Sequence, residues 1–320
     1  MAILRGQQGH RVLLAAKLAI PAIVVLWIFR QFDLAESLEN LSQLSALIVA
    51  EVFLLLIFQQ VLAAWRLAVS VTMSGASIGH RAAVATTFVG NFFSQAMLSF
   101  VGGDAMRTLE LTRQGIPVIK AAVAIVLDRV SGMFALMAMV TLGLVSILDL
   151  ITSQTTRLGL FALLAAGLAF AAAFVLLGFM PATWRRLKRL GPLMELVSAG
   201  RYAFSAPWGW TKALFGSFLI NLLNVLIIFV LARGFGLDVS LLQCLIVVPP
   251  VLLMAMMPIS IGGWGVREGA MVVGFSLYGQ PGETVLLISI IFGLASLVVA
   301  LPGGLIWLLY KRNTGKTDFN

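Results

Sequence analysis

The chain is 320 residues long, 60% apolar and only 11% charged, with 22 Lys+Arg against 13 Asp+Glu and a net charge of +9. A soluble domain carries about 45–50% apolar and about 25% charged residues, and a water-soluble fold of this size could not cover so much apolar surface, so a soluble enzyme is excluded. The basic excess belongs on cytoplasmic loops facing anionic lipid, not on nucleic acid, and the single cysteine (Cys244) and two histidines (His10, His80) leave no material for a disulfide framework or a Cys- or His-based metal site.

A membrane span requires about 20 apolar residues. The first is expected over 12–29. Arg5 and Arg11 precede it, but Lys17 interrupts the apolar run and no small-residue cleavage site follows, so it reads as an uncleaved helix. A connection with Asp33, Glu36 and Glu39 against Arg30 leads to a second span, 45–65. Residues 82–100 are apolar but stop at Gly102-Gly103, and spans at 120–148 and 157–180 follow. Segment 181–210 carries Arg185, Arg186, Lys188, Arg189 and Arg201 against Glu195. Trp184, Leu187, Leu190 and Leu193 give it an apolar face, so it is expected to lie on the inner membrane surface as an amphipathic helix. The fifth span is 211–232. A second broken stretch, 241–257, stops at Pro258 before Ile261-Gly262-Gly263, and the last span, 283–309, precedes Lys311, Arg312 and Lys316.

Charge placement orders these segments. The acidic connection after the first span is expected outside, and segment 181–210 and the tail inside. Eight full spans, with both broken stretches crossing, would put the basic segment outside. Six spans plus two re-entrant helical hairpins satisfy every loop, and re-entrant backbone is tolerated where protein or a wet cavity covers it. The expected fold is an all-α polytopic membrane protein with six spans and two re-entrant hairpins. Its termini are expected in the cytoplasm, at an inner (plasma) membrane of bacterial type; eight full spans are the alternative.

The hexapeptides from Gly102 to Arg107 and from Gly262 to Arg267 share the pattern GGxxxR at a separation of 160 residues. Chance alone can place such a pattern twice in a Gly-rich membrane protein. The neighbouring elements keep the same offset, however: 45–65 answers to 211–232, 82–113 to 241–278, and 120–148 to 283–309. Each half, 1–150 and 151–312, reads as span, span, hairpin, span. The first half starts inside and the second outside, which is the inverted-topology arrangement of many carriers.

Polar residues inside this apolar sequence are the candidate site. By the rise of a helix, Arg267 and Glu268 sit about 16 Å from the end of the second hairpin, near the midplane. A charge there costs about 2.5–3.5 kcal/mol, so the two either lock the hairpin tip as a pair or line a path. Gly262, Gly263 and Gly265 leave N–H groups open at a helix N-terminus, which attracts anions, and Arg267 adds a planar fork suited to phosphate. Gly102 and Gly103 are expected to open a helix bearing Asp104, Arg107, Glu110 and Gln114 with the same chemistry. Asp104 and Arg107, three apart, can pair. Asp128 and Arg129 point about 100° apart and are expected to find partners on another element, among them Arg107 or Asp104. Asn91 with Gln95, and Asn221 with Asn224, read as glue between helices or as substrate contacts. Glu51 and Lys17 snorkel or pair locally, and Trp264 packs the tip or stacks on a ligand. Asp104, Asp128, Arg129 and Glu268 are candidates for polar pairing or proton coupling, and Gly102, Gly103, Arg107, Gly262, Gly263 and Arg267 for head-group binding.

The runs LSFVGGDAMR (98–107), AIVLDRVSG (124–132), PISIGGWGVREG (258–269) and LPGG (301–304) resemble the lysylphosphatidylglycerol synthetase transmembrane region, also called the flippase-like domain. The likeness covers nearly the whole chain, with one departure: Leu98-Ser99 stands where the family often has a proline. In multidomain members the resemblance implies a membrane region that moves an aminoacylated phospholipid between leaflets, while a soluble domain makes that lipid. Here it implies a stand-alone membrane domain without the synthase.

The function expected is translocation of a phospholipid or lipid-linked head group across the inner membrane, by alternating access around the two hairpins. No nucleotide-binding or catalytic motif is present, so no cofactor is expected. The partners expected are membrane lipids (anionic or aminoacylated phospholipid, or polyprenyl-linked) and a separately encoded lipid synthase, with no nucleic acid. A membrane-embedded lipid-modifying enzyme, or an accessory subunit of a synthase, is the alternative.

Overall fold

The computed structural model describes residues 44–96, 100–147, scattered positions between 154 and 169, 207–256 and 264–314. The expected span 12–29, most of 157–180, residues 181–206, Lys17, Gly262 and Gly263 lie outside the described residues. Residues 207–210, expected to end the amphipathic segment 181–210, instead form the first turn of a membrane-length helix, Pro207–Gly234. Within them the chain is helical, with no strand. Eight helices follow in order: α1 Ala46–Met73, α2 His80–Ala96, α3 Phe100–Arg113, α4 Val118–Ile147, α5 Pro207–Gly234, α6 Leu241–Ala255, α7 Val266–Ser276 and α8 Gly282–Thr314. Four of them, α1, α4, α5 and α8, are long and apolar enough to cross a membrane, and they carry the expected spans 45–65, 120–148, 211–232 and 283–309. The protein is a polytopic α-helical membrane protein.

Two boundaries differ from the sequence reading. Helix α1 runs past residue 65, through Arg66, to Met73. The apolar window ended at the charge, but the helix continues because that charge is neutralised inside the protein. Gly102-Gly103, expected to break the first hairpin, are already helical within α3, and residues 97–99 between α2 and α3 lie outside the described residues. The glycine at 103 serves close packing instead: a Cβ there would overlap the side chain of Ser94 and come 2.6 Å from the carbonyl oxygen of Gly90.

Side-chain contacts fix the directions of the helices. Gly234 at the end of α5 faces Leu44 and Ile48 at the start of α1, and Gly216 near the start of α5 faces Trp65 and Arg66. Between them, the Nε2 of Gln59 donates to the carbonyl oxygen of Ile220 at 3.2 Å. Thus α1 and α5 are antiparallel. Helices α1 and α4 are antiparallel as well, because Lys120 reaches the carbonyl oxygen of Gly75 at 2.8 Å while Arg66 meets Asp128. The α2–α3 pair therefore leaves and returns at one end of the bundle, beside Gly75. The α6–α7 pair starts and finishes where Gln280 donates to the carbonyl oxygen of Asp238 at 3.1 Å, just beyond Gly234 and hence at the opposite end.

Exchanging α1, α2, α3 and α4 for α5, α6, α7 and α8 maps every substantial helix–helix pairing onto another: α2 packs on α8 as α6 packs on α4, and α1 on α4 as α5 on α8. The caps match too. Gly75 and Gly236 take positive φ just after α1 and α5, and the next residue reaches back to the fifth carbonyl before it, Ala76 to Val71 and Leu237 to Ala232. Gly143 on α4 and Gly303 on α8, 160 apart, lie against α6 and α2. Small residues let helices approach where lipid supplies no hydrophobic drive.

The main core joins α1, α5, α6, α7 and α8 through Leu56, Val225, Ile228, Val248, Phe275 and Ile288. Leu54, Ile57, Phe58 and Val61 on α1, with Leu301, Leu305 and Leu308 on α8, are exposed. Helices apolar on the outward as well as the inward face are what a lipid surround requires. A Cβ at Gly303 would strike the backbone of Phe88 and Val89, neither of which can swing away. Gly303→Ala is therefore expected to cost about 1–3 kcal/mol, read as a lowered unfolding temperature in detergent, whereas Gly269→Ala, with open space around it, is expected to cost far less.

Candidate functional site

A cluster of five charged side chains joins α1, α3 and α4. Arg66 grips Asp128 with two prongs, Nε to Oδ1 at 2.8 Å and Nη2 to Oδ2 at 3.0 Å. Its Nη1 donates to Ser217 on α5 at 2.9 Å, and Ser217 donates to Ser131 on α4 at 3.1 Å. Arg129 takes Asp104 in the same two-pronged way, Nη2 to Oδ1 at 2.7 Å and Nε to Oδ2 at 2.9 Å. Such pairs are the strong form of the arginine–carboxylate contact.

Arg107 is left with shared partners. Its Nη1 lies 3.8 Å from Asp104 and 3.7 Å from Asp128, within ion-pair range but beyond a hydrogen bond. Nη2 donates to Asn91, and the buried Nε has no acceptor among the described residues. The residue is only 7% exposed. Its stem lies over Gly90, where any Cβ would overlap it. Three guanidinium groups against two carboxylates leave these five side chains one positive charge in excess.

The sequence-expected pairing of Asp128 and Arg129 with other elements is found, with Arg66 as the additional partner. Glu110 is buried and takes Arg113 at 2.7 Å, while Gln114 donates to Thr86 at 3.2 Å. Asn91 joins the charge cluster to Gln60 on α1. On the neighbouring face, Gln59 donates to Asn224 of α5 at 2.7 Å. Amides thus continue the polar string into the second half, whereas Gln95 stays outside it and Asn221 is buried beside it on α5.

The second motif is organised differently. Glu268 closes a capping box: its Oε2 accepts from the N–H of Gly265, the residue at positive φ that begins α7. The N–H that the sequence left open for an anion is thus occupied by the chain's own carboxylate. Oε1 accepts from Nε of Arg267 at 3.0 Å and from its Nη2, and Ser289 of α8 accepts from the same Nε at 3.2 Å. The guanidinium carbon lies 4.7 Å from the ring centre of Trp264 and 5.4 Å from that of Phe292. Gly293 makes the stack possible, since a Cβ there would come 2.6 Å from Trp264 and overlap Arg267. Arg267 and Glu268 neutralise each other within one turn.

The lysylphosphatidylglycerol synthase TM region family matches residues 13–304. The chain belongs to this family. No curated protein and no solved structure matches it. Membership in the lysylphosphatidylglycerol synthase TM region family places the chain among membrane proteins that handle lipid.

In this family member, sequence reading did not single out Arg66, Gln59, Gln60, Gly90, Ser217, Ser289 or Gly293. A usable clue existed for Arg66. The residues after it, Leu67 to Met73, are again largely apolar, which puts the charge inside a span, where it demands a partner. The glycine contacts become visible only when two helices are placed together.

Asp128 is 2% exposed and serves two guanidinium groups. Asp128→Asn strips both of a counter-charge and is expected to destabilise the protein by about 3–5 kcal/mol. Thermal unfolding in detergent reads the loss. Asp238→Asn, fully exposed and 3.9 Å from Arg233, is expected to leave the unfolding temperature unchanged.

Proposed function

We propose that this protein moves a phospholipid, or a lipid-linked head group, between the leaflets without changing it chemically. The observation that carries the reading is the surplus guanidinium of Arg107, buried in an apolar bundle yet short of hydrogen-bond acceptors. A buried cation in a membrane protein marks a path or a ligand when its own carboxylates are committed elsewhere.

The architecture supports translocation. At about 1.5 Å per residue, α2 and α3 are about 25 and 21 Å long, short of a hydrocarbon core about 30 Å thick, and α7 is shorter still. We read the two helix pairs as re-entrant hairpins based on opposite faces, and the two halves as an inverted repeat. Residues 60 and 220 are equivalent by the 160 offset and adjacent in space through Gln59 and Ile220, so on this reading the repeat axis, and with it the bilayer midplane, passes there. Arg66, six residues on from Gln60, is then about 9 Å from the midplane toward the base of the first hairpin. The amide pairs Gln60–Asn91 and Gln59–Asn224 lie at the midplane, where a head group has to pass. Asp128, held by Arg66, suits a fixed counter-charge better than a proton carrier.

The reading extends to an inner membrane with cytoplasmic termini, to anionic, aminoacylated or polyprenyl-linked lipid as cargo, and to a separate synthase as supplier. Its test is translocation of a fluorescent phospholipid in proteoliposomes, followed by chemical quenching of the outer leaflet. Wild type is expected to move the lipid with no new lipid species. Arg107→Ala is expected to slow it at least tenfold in protein that still elutes as a single folded species. Appearance of a modified lipid would replace the reading with a lipid-modifying enzyme, and absence of movement would overturn it.

The opposed hairpins give a second prediction. A cysteine at Gly79, before α2, is expected to react with an impermeant maleimide only after cells are permeabilised, and one at Asp238, before α6, in intact cells. Cys244 is buried and stays silent. Labelling of both positions from one side would return the hairpins to a common face.

A further inference from the structure

We propose that the two GGxxxR copies have different jobs: the first, at Arg107, holds the phosphate of a lipid head group, and the second, at Arg267, is a closed latch that takes no anion. The proposal rests on the translocation reading and assigns the ligand chemistry within it. Arg267 is charge-balanced by Glu268. Its Nε and Nη2 are given to Glu268 and Ser289, and its face is covered by Trp264 and Phe292. The N-terminus of α7 is closed by Glu268. A phosphate arriving there would have to displace a carboxylate of the same chain and would meet no net positive charge.

Arg107 presents the opposite balance. Asp104 is committed to Arg129 and Asp128 to Arg66, each through two hydrogen bonds, so the third guanidinium keeps only the weak side of both carboxylates. Of its donors, only Nη2 has a hydrogen bond among the described residues, to Asn91. A phosphate monoanion or diester supplies the missing negative charge and the acceptors for a planar fork. The approach is amphipathic. Asp104 and Arg129 keep side-chain exposures of 24% and 29%, while Leu109 on α3 and Val126 on α4 are exposed nearby along the same helices. A head group can enter at the charges while its acyl chains stay along apolar helix surface, which favours a lipid phosphate over a free one.

Equilibrium binding to purified full-length protein in a neutral detergent tests this separately from transport. The probes are dihexanoyl phosphatidylglycerol, dihexanoyl glycerol without the phosphate, and inorganic phosphate, with Kd read by tryptophan fluorescence. Phosphatidylglycerol is expected to bind at least tenfold more tightly than either of the others. Arg107→Lys is expected to weaken it about tenfold, because a point charge replaces the fork. Asn91→Asp provides a variant that does not depend on removing a buried arginine: it puts a fixed carboxylate against Nη2, cancels the excess charge, and is expected to abolish phosphate dependence while the protein stays folded. Arg267→Lys and Ser289→Ala are expected to keep Kd within about twofold. Unchanged affinity in folded Asn91→Asp overturns the site. An equal loss in folded Arg267→Lys overturns the division of labour, and tighter binding of inorganic phosphate than of the lipid overturns the lipid source. Binding that fails these tests beside intact wild-type transport rejects the site and keeps the translocation reading. Wild-type binding without transport does the reverse.

Discussion

A charge buried in an apolar bundle must be met by a fixed opposite charge, and Asp128 is where this protein meets that requirement. One carboxylate, 2% exposed, accepts two hydrogen bonds from Arg66 and lies within ion-pair range of Arg107. It therefore ties α4 to α1 directly and to α3 through space, while the third prong of Arg66 reaches α5 through Ser217. Four helices from both halves meet at one point because none of the three groups could stand alone in hydrocarbon. The remaining architecture holds this junction in register, with Ser131 beneath Ser217 and Gly132 leaving room for Nη1, which a Cβ there would approach to 3.2 Å.

Away from that junction the helices are joined by shape. Lipid chains are as apolar as leucine, so helix association depends on close packing and on the few available hydrogen bonds. Gly103 against Gly90 and Ser94, Gly303 against Phe88, Gly143 against Ile246 and Gly293 against Trp264 all remove a Cβ at a crossing. Each brings a short helix of a hairpin onto a neighbour. The glycine of the first motif thus serves packing, and its position inside α3 follows from that role.

The sequence made the scaffold legible because its evidence is local. A run of about 20 apolar residues reports a span by itself, and four spans were placed to within a few residues at most of their ends. The 160-residue offset found in GGxxxR is repeated by Gly143 and Gly303, and the caps at Gly75 and Gly236 keep it to within one residue. The site was legible only in part. Asp104, Arg107, Asp128 and Arg129 stood out as charges in apolar surroundings, and that property belongs to each residue separately. Their pairing did not stand out, because the partner of Asp128 lies 62 positions away, just past the end of the expected span 45–65. Nor could residue types distinguish Arg107 from Arg267. Both follow a glycine pair by the same number of positions, and only placement shows that Glu268 turns back onto its own helix while Asp104 turns away to Arg129.

That difference bears on how a symmetric scaffold could carry a lipid. Two equally hungry arginines on either side of the midplane would hold a phosphate from both faces and release it to neither, since a path conducts only when binding is firm enough to enter and weak enough to leave. Here one guanidinium is one charge short of balance and its counterpart is neutralised within a turn of helix. A head group drawn to Arg107 would find amides beyond it at Gln60, Gln59 and Asn224, groups that donate and accept without a net charge to trap it. On the translocation reading, passage would run from one strong contact to several weak ones, and the side on which the cargo would be held more firmly would be set by which of the two motifs keeps its carboxylate at home.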